Sequence, residues 1–381
     1  GPRPLRFLLC VAPSGGATIC PLGPVSHARI PAASRANAVP AAGPHRVERS
    51  ASAADLFPNA RLGCNDHGTM AKELVYNATI VEREDLTPAL AVFRVRPDEG
   101  FPGEGSWFTP GQYLTLGLNN TEKPELGSVR RPMSIASAPE RRDLVEFYIR
   151  FVEKPESDNP LTHLLWKTRA GDRMFLRSQP VGKFTVEDTM GAGDTRLKMC
   201  VAAGTGLAPF LSMVRSKVNQ NPACRLDDFA IIHGASYSKD LGYRDELERL
   251  AREHGLHYLP TVSRPRESAD WTGAVGRAED FFRAERLPVL EDSLRLERGA
   301  FRPDRVGILI CGLQGTIGAT IERLLPRGFI PDNRKIRRAL QISDELPAHT
   351  FYEAYDTIPP IDLNDTAHVA ELKAAFDASQ R

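Results

Sequence analysis

The sequence predicts an antiparallel β-barrel followed by a parallel-sheet, Rossmann-like α/β domain. Three observations carry this. From Glu73 the chain runs in short segments rich in Val, Ile, Leu, Phe and Tyr, separated by Gly, Pro and Asn clusters, which is the texture of a barrel or sandwich. After Leu197 strands alternate with helices of crossover length, which calls for a parallel sheet. The length, 381 residues, suits two domains and a remainder, and 41% hydrophobic residues are enough to build their cores.

In order, residues 1–69 hold seven Arg, no Lys, nine Pro and only three acids, Glu48, Asp55 and Asp66. Such a stretch has too few large apolar groups to offset the entropy of ordering it. It reads as a non-structural leader: an organelle-targeting peptide, a disordered arm, or translated upstream sequence ahead of a start at Met70-Ala71-Lys72. The barrel domain is placed at 70–190, with strands at 74–82, 90–96, 112–118, 144–152 and 173–178 and one helix at 161–168. The α/β domain is placed at 196–350. Its strands are expected at 198–203, 228–233, 257–262 and 306–311, its helices at 207–218, 243–254, 278–284 and 316–325. Residues 287–303 are long for a connection in such a fold and read as a surface excursion. A C-terminal tail, 351–381, ends in a helix at 368–376.

Several functions are excluded or demoted. With 49 Lys and Arg against 48 Asp and Glu, the net charge of +1 argues against a chain built to neutralise nucleic acid. The longest apolar runs fall short of the ~20 residues of a spanning helix. The six cysteines form no CxxC pair or regular spacing, which demotes a disulfide framework, a zinc knuckle and a fused iron–sulfur module; no metal site is expected. His254 and His257 read as surface-helix and strand-start residues. The basic runs Arg141-Arg142 and Arg334–Arg338 read as solvated faces, or as surfaces that steer an acidic partner.

Three stretches carry chemistry. Arg131-Pro132-Met133-Ser134 lies in an extended segment after Gly111-Gln112-Tyr113. An arginine there can hold a pyrophosphate bidentately, and a serine on the strand can bond a ring edge. Taken alone, the segment is equally a strand with one exposed arginine. Gly204-Thr205-Gly206 sits where a strand ends and a helix begins, so backbone N–H groups can meet a phosphate, and Pro209 suits the first helical turn. A lone GTG is also a common packing turn. Cys311-Gly312 again follows an apolar strand, and two adjacent strand ends with glycine turns make a dinucleotide crevice in a doubly wound sheet. By itself it is an ordinary buried cysteine.

In this order, behind a barrel, the three stretches resemble the ferredoxin–NADP+ reductase family over roughly residues 74–355. The resemblance implies an FAD-binding barrel and an NADP-binding domain. It implies that Arg131, Pro132, Met133 and Ser134 hold the flavin, Ser134 near its N5, with Met133 standing where the family's motif has a ring-stacking tyrosine. Tyr148 and Pro160-Leu161-Thr162 are implied on the flavin side. Gly204, Thr205, Gly206, Cys311 and Gly312 are implied on the nicotinamide side, with Cys311 near the hydride path. Ser236, Ser263, Arg264 and Arg277 are implied as the clamp for an NADP 2′-phosphate. Glu353 and Tyr355 resemble the family's terminal segment, where a glutamate and an aromatic approach the flavin; Ser134, Cys311 and Glu353 are the implied catalytic residues.

The implied function is hydride exchange between NADPH and FAD, with single electrons passed to or from a separate ferredoxin or flavodoxin. The missing iron–sulfur cysteines require that separate carrier. An NADH-dependent reductase for an oxygenase or cytochrome is the rival enzyme, and a flavin-free binding or regulatory module on the same fold is the rival outside enzymes. The expected location is the cytoplasm, or an organelle if residues 1–69 are a targeting peptide.

Overall fold

The computed structural model describes residues 73–268 and 270–380. The leader 1–69 and the Met70-Ala71-Lys72 start therefore lie outside the described residues. The first sheet is built from β1 (Ala78–Thr87), β2 (Leu90–Pro97), β3 (Tyr113–Asn119), β4 (Ser128–Ser134), β5 (Val145–Arg150) and β6 (Arg173–Leu176), with helix α1 (Leu161–Leu165) ahead of β6. All pairings are antiparallel, in the order β4-β3-β6-β1-β2-β5. The two end strands meet at a bridge between Ile135 and Phe147, and the Ala136 N–H donates to the Glu146 carbonyl at 2.8 Å. The sheet thus curls into a barrel-like form that stays open along β4, where Arg130, Arg131 and Pro132 are exposed.

Strand alternation decides what each face does. On β2 and β5, Ala91, Phe93, Val95, Val145, Phe147 and Ile149 fill the barrel interior. Their neighbours Leu90, Val92 and Tyr148 point outward into a second core shared with the α/β domain.

After α2 (Val186–Thr189), that domain comprises β7 (Leu197–Ala203), α3 (Ala208–Gln220), β8 (Phe229–Ala235), α4 (Arg244–His254), β9 (His257–Val262) and β10 (Ala274–Val275). It continues with α5 (Leu287–Ser293), β11 (Val306–Gly312), α6 (Gln314–Leu324), α7 (Arg334–Ala339), β12 (Thr350–Ala354) and α8 (Thr366–Ser379). The sheet is parallel throughout, in the order β10-β9-β8-β7-β11-β12. The chain enters at β7, winds outward to β10, then returns to β11 on the other side of β7. The topological switch point, where ligands bind in such sheets, lies between the carboxyl ends of β7 and β11.

The seam between barrel and sheet is polar as well as apolar. Glu146 of β5, 2% exposed, accepts from Arg94 Nε at 2.8 Å, Arg215 Nη1 at 2.7 Å and the Tyr243 hydroxyl at 2.9 Å. Arg215, on α3, also pairs with Glu246 and donates to the Ala136 carbonyl at 2.8 Å. The chain just after Ser134 is thereby fixed to α3.

Several expectations need correction. Residues 287–303 are no excursion: Leu287, Leu290, Leu294 and Phe301 are buried in the α/β core, and α5 occupies much of the stretch. The predicted boundary at 350/351 cuts β12, which pairs with β11 from Thr350 onward, and α8 buries Leu372 and Phe376 in the same core. Helix 278–284 is a 3-10 segment, Ala278–Phe282. The run Arg334–Arg338 is not one solvated face, because Arg337 is buried and donates to the carbonyls of Pro331, Asp344 and Leu346. Arg142 likewise fastens a loop through the carbonyls of Phe101, Pro102, Gly103 and Gly105. His254 is buried at the end of α4, its Nδ1 3.0 Å from the Cys224 carbonyl. Among the described residues no helix is long and apolar enough to cross a membrane, and no His/Cys/Asp/Glu group could hold a metal ion.

Candidate active site

At the switch point, four side chains from both domains converge. Ser134, at the end of β4, donates from Oγ to Glu353 Oε2 at 3.0 Å. Cys311 Sγ, from β11, lies 3.9 Å from the same oxygen. The Tyr355 hydroxyl lies 3.2 Å from the Thr205 carbonyl and 3.4 Å from Ser134 Oγ, so its one proton can serve either. Parallel register explains the meeting: Cys311 stands opposite Glu353 on β12, and the Tyr355 N–H donates to the Gly312 carbonyl at 3.0 Å. Gly206 brings the β7 turn against β11, since a Cβ there would collide with the Cys311 carbonyl.

Burial sets the electrostatics. It lifts the Glu353 carboxyl to about 7, against the opposing bonds from Ser134 and Cys311. Burial also raises the Cys311 thiol, helped by the Glu353 charge, so the sulfur stays protonated at neutral pH. The Tyr355 ring is 42% exposed, yet its hydroxyl is turned inward and burial raises it too. Tyr113, the register partner of Ser134, is raised by burial and then by Glu353. In sequence Tyr113 is only a neighbour of the motif; strand pairing is the signal that brings it to the site.

Around this cluster the remaining candidates divide. Arg131 and Pro132 are exposed on the open edge of β4, and Arg131 Nη1 turns back to the Arg130 carbonyl. Met133 is half-buried against the barrel core. Asn159 donates to the Leu126 and Gly127 carbonyls, so the segment opening α1, with Pro160, Leu161 and Thr162, is tied to the turn ahead of β4. Thr162 Oγ1 accepts from the Val152 N–H. Tyr148 stands apart from the cluster. Period-two alternation turns it into the seam, where its hydroxyl meets the Asp240 carbonyl and the Gly242 N–H.

The second group gathers at the carboxyl ends of β8, β9 and β10. The Ser263 and Arg264 N–H groups donate to the Ala235 and Ser236 carbonyls, which sets Ser236 beside Arg264. Arg264 Nη1 donates to the Tyr237 hydroxyl at 2.7 Å, and its guanidinium lies 5.5 Å from that ring's centre. Ser263 and Arg277 line one cavity of about 440 Å3 together with Arg283 and Arg323. Glu279, buried beside it, lies 3.9 Å from Arg277 Nη1, and burial raises its carboxyl.

An antiparallel barrel thus stands beside a doubly wound parallel sheet, and the titratable cluster lies at that sheet's switch point. Residues 200–321 match the family described as Oxidoreductase NAD-binding domain. Ferredoxin–NADP reductase B of Sorangium cellulosum is 30% identical over 262 residues, covering 68% of this chain and 94% of its own length. The phenol hydroxylase P5 protein of Acinetobacter pittii is 28% identical over 202 residues, 53% of this chain; the chain spans only 51% of that relative. The fold matches a ferredoxin NADP+ reductase from Neisseria gonorrhoeae, solved with FAD and NADP, at a TM-score of 0.56 and 23% identity, over 73% of this chain and 97% of that one. The chain belongs to the ferredoxin–NADP reductase family.

Proposed function

We propose that the chain is a flavoprotein that exchanges a hydride between NADPH and FAD and trades single electrons with a separate ferredoxin or flavodoxin. The observation that carries this reading is the convergence of Ser134, Cys311, Glu353 and Tyr355 at the switch point, with an open barrel edge on one side and glycine turns on the other. The residues fit both cofactors. The exposed edge of β4 with Arg131 and the neighbouring start of α1 offer a charged track for a pyrophosphate. Gly204 has open space where a side chain would stand, so a dinucleotide can approach the backbone of the β7 turn.

When bound, the flavin supplies the hydride and one-electron chemistry, and the chain supplies position and protons. Ser134 offers its hydroxyl at the barrel side of the cleft. Glu353, near 7, holds or releases a proton one hydrogen bond away from Ser134. Cys311 narrows the cleft as a neutral thiol. Tyr355 covers the opening and must swing aside for a nicotinamide ring to enter. Purified protein is expected to be yellow and to release FAD, not FMN, on denaturation. A preparation that stays colourless after FAD is added would favour the flavin-free module instead.

Ser236, Ser263, Arg264 and Arg277 form the clamp by which NADP is preferred, because a 2′-phosphate needs cations and hydroxyl donors. Arg264→Ala is expected to raise KM for NADPH about tenfold more than KM for NADH. Equal rises would remove the clamp. The rival reading, an NADH-dependent oxygenase reductase, is supported by one observation: phenol hydroxylase reductase components are 27–28% identical to this chain, over about half of it and about half of their own length. Comparing NADPH with NADH turnover decides between them.

A further inference from the structure

Past Tyr355 the chain does not leave the site but turns back across α6. Asp356 Oδ2 accepts from the Gln314 N–H, the first of that helix, at 3.2 Å. Four residues on, the Pro360 carbonyl lies against Gly318 so closely that a Cβ at 318 would strike it. Ile361 is 3% exposed in the α/β core, and α8 anchors the remaining chain through Leu372, Phe376 and a His368–Glu322 contact of 3.1 Å. Tyr355 is thus pinned on three sides. Its N–H is held by Gly312, its hydroxyl spans the cleft, and its successor is tied to the helix that starts at that cleft.

We propose that residues 356–361 are a strap that holds Tyr355 across the cleft, with Asp356 as the positioning residue that sets how readily a nicotinamide ring takes its place. This rests on the function proposed above. The physical case is a balance of opposed contributions. A carboxylate on the first N–H of a helix is favourable. Its other oxygen, Oδ1, is buried with no hydrogen-bond partner, and leaving such an atom unsatisfied is costly. Asp356→Ala removes the bond to the Gln314 N–H and with it the strap's side-chain tie to the start of α6. If only a fraction of molecules has Tyr355 displaced, the apparent dissociation constant for the nicotinamide is the intrinsic one divided by that fraction. Loosening the strap raises the fraction.

The test uses the FAD-loaded protein titrated with NADP+ and, in parallel, NAD+, following the flavin difference spectrum. Asp356→Ala is expected to lower the apparent dissociation constant about three- to tenfold. Asp356→Asn keeps an acceptor for the Gln314 N–H and is expected to stay near wild type. Gly318→Ala, which displaces Pro360, should shift binding in the same direction as Asp356→Ala. A merely structural lesion would weaken binding, so tightening is diagnostic. Unchanged or weaker binding in Asp356→Ala overturns the strap, as does Asp356→Asn behaving like the alanine variant. If Asp356→Ala does not fold, Gly318→Ala decides on the same terms: tighter binding supports the strap, and unchanged or weaker binding overturns it. Wild-type protein that binds no FAD or no nicotinamide sinks the functional reading itself, a result separate from any variant.

Discussion

Glu146→Leu is expected to lower the unfolding free energy by about 3 kcal/mol, read as a fall in the urea midpoint at neutral pH. The carboxylate is 2% exposed and receives Arg94, Arg215 and Tyr243. Removing it leaves two guanidiniums and a phenol short of an acceptor in a desolvated seam, which costs far more than the pair contributes against an apolar substitute. Arg94 keeps Glu82 and Glu84, and Arg215 keeps Glu246, so the loss stays at the lower end for a broken buried pair. Burial pushes the Glu146 carboxyl up, but Arg215 and its other partners outweigh this and hold it below the ordinary value of 4.5. Its stabilisation is therefore present above about 4.5 and disappears as pH falls through the depressed folded value, so the gap between wild type and variant should narrow in acid. The double change Glu146→Leu with Arg215→Met should recover part of the loss, since only Arg94, which keeps Glu82 and Glu84, then faces the apolar side chain. A single variant as stable as wild type would show that the seam tolerates the open network.

That network shows where sequence reasoning stops. Strand texture and turn residues make the barrel legible, because alternation along β2 and β5 depends on neighbouring residues alone. The β9 range, His257–Val262, is likewise readable from a short apolar run between turns. The motif pairs at β7 and β11 are legible because glycine turns at strand ends carry a local signature. Glu146 with Arg215, and Ser134 with Glu353, are separated by 69 and 219 residues and have no such signature. Only the register of β11 with β12 reveals that Glu353 stands opposite Cys311. The segment 287–303 misleads for a related reason: its apolar residues are spaced around several charges, and only the sheet they pack against gives them a common face. Resemblance puts Tyr148 on the flavin side, whereas the two-residue period of β5, already visible in sequence, turns it toward α3 and α4.

Glu353→Gln is expected to slow turnover by about 10- to 100-fold and to abolish the break near neutral pH in its pH profile. In wild type the carboxyl titrates near 7, so the rate limited by its proton should fall as pH rises past that value. Ser134→Ala should move the break upward, because the hydroxyl's bond to Oε2 is one of the contacts that holds the carboxyl down. Stability gives an independent reading of the same group. A carboxyl raised from 4.5 to about 7 binds more protons folded than unfolded in that interval, so stability is greatest below 4.5 and declines until about 7. At about 1.4 kcal/mol per unit the decline is about 3–4 kcal/mol, and the glutamine variant should lack it. An unaltered pH–rate profile in Glu353→Gln would show that protons reach the flavin by another route. Loss of the stability slope together with an intact rate profile would make Glu353 a buried acid without a catalytic part. Only both changes together place the carboxyl in the reaction, because burial alone accounts for the stability slope, while a shifted break in Ser134→Ala requires the hydrogen bond that joins the barrel to β12.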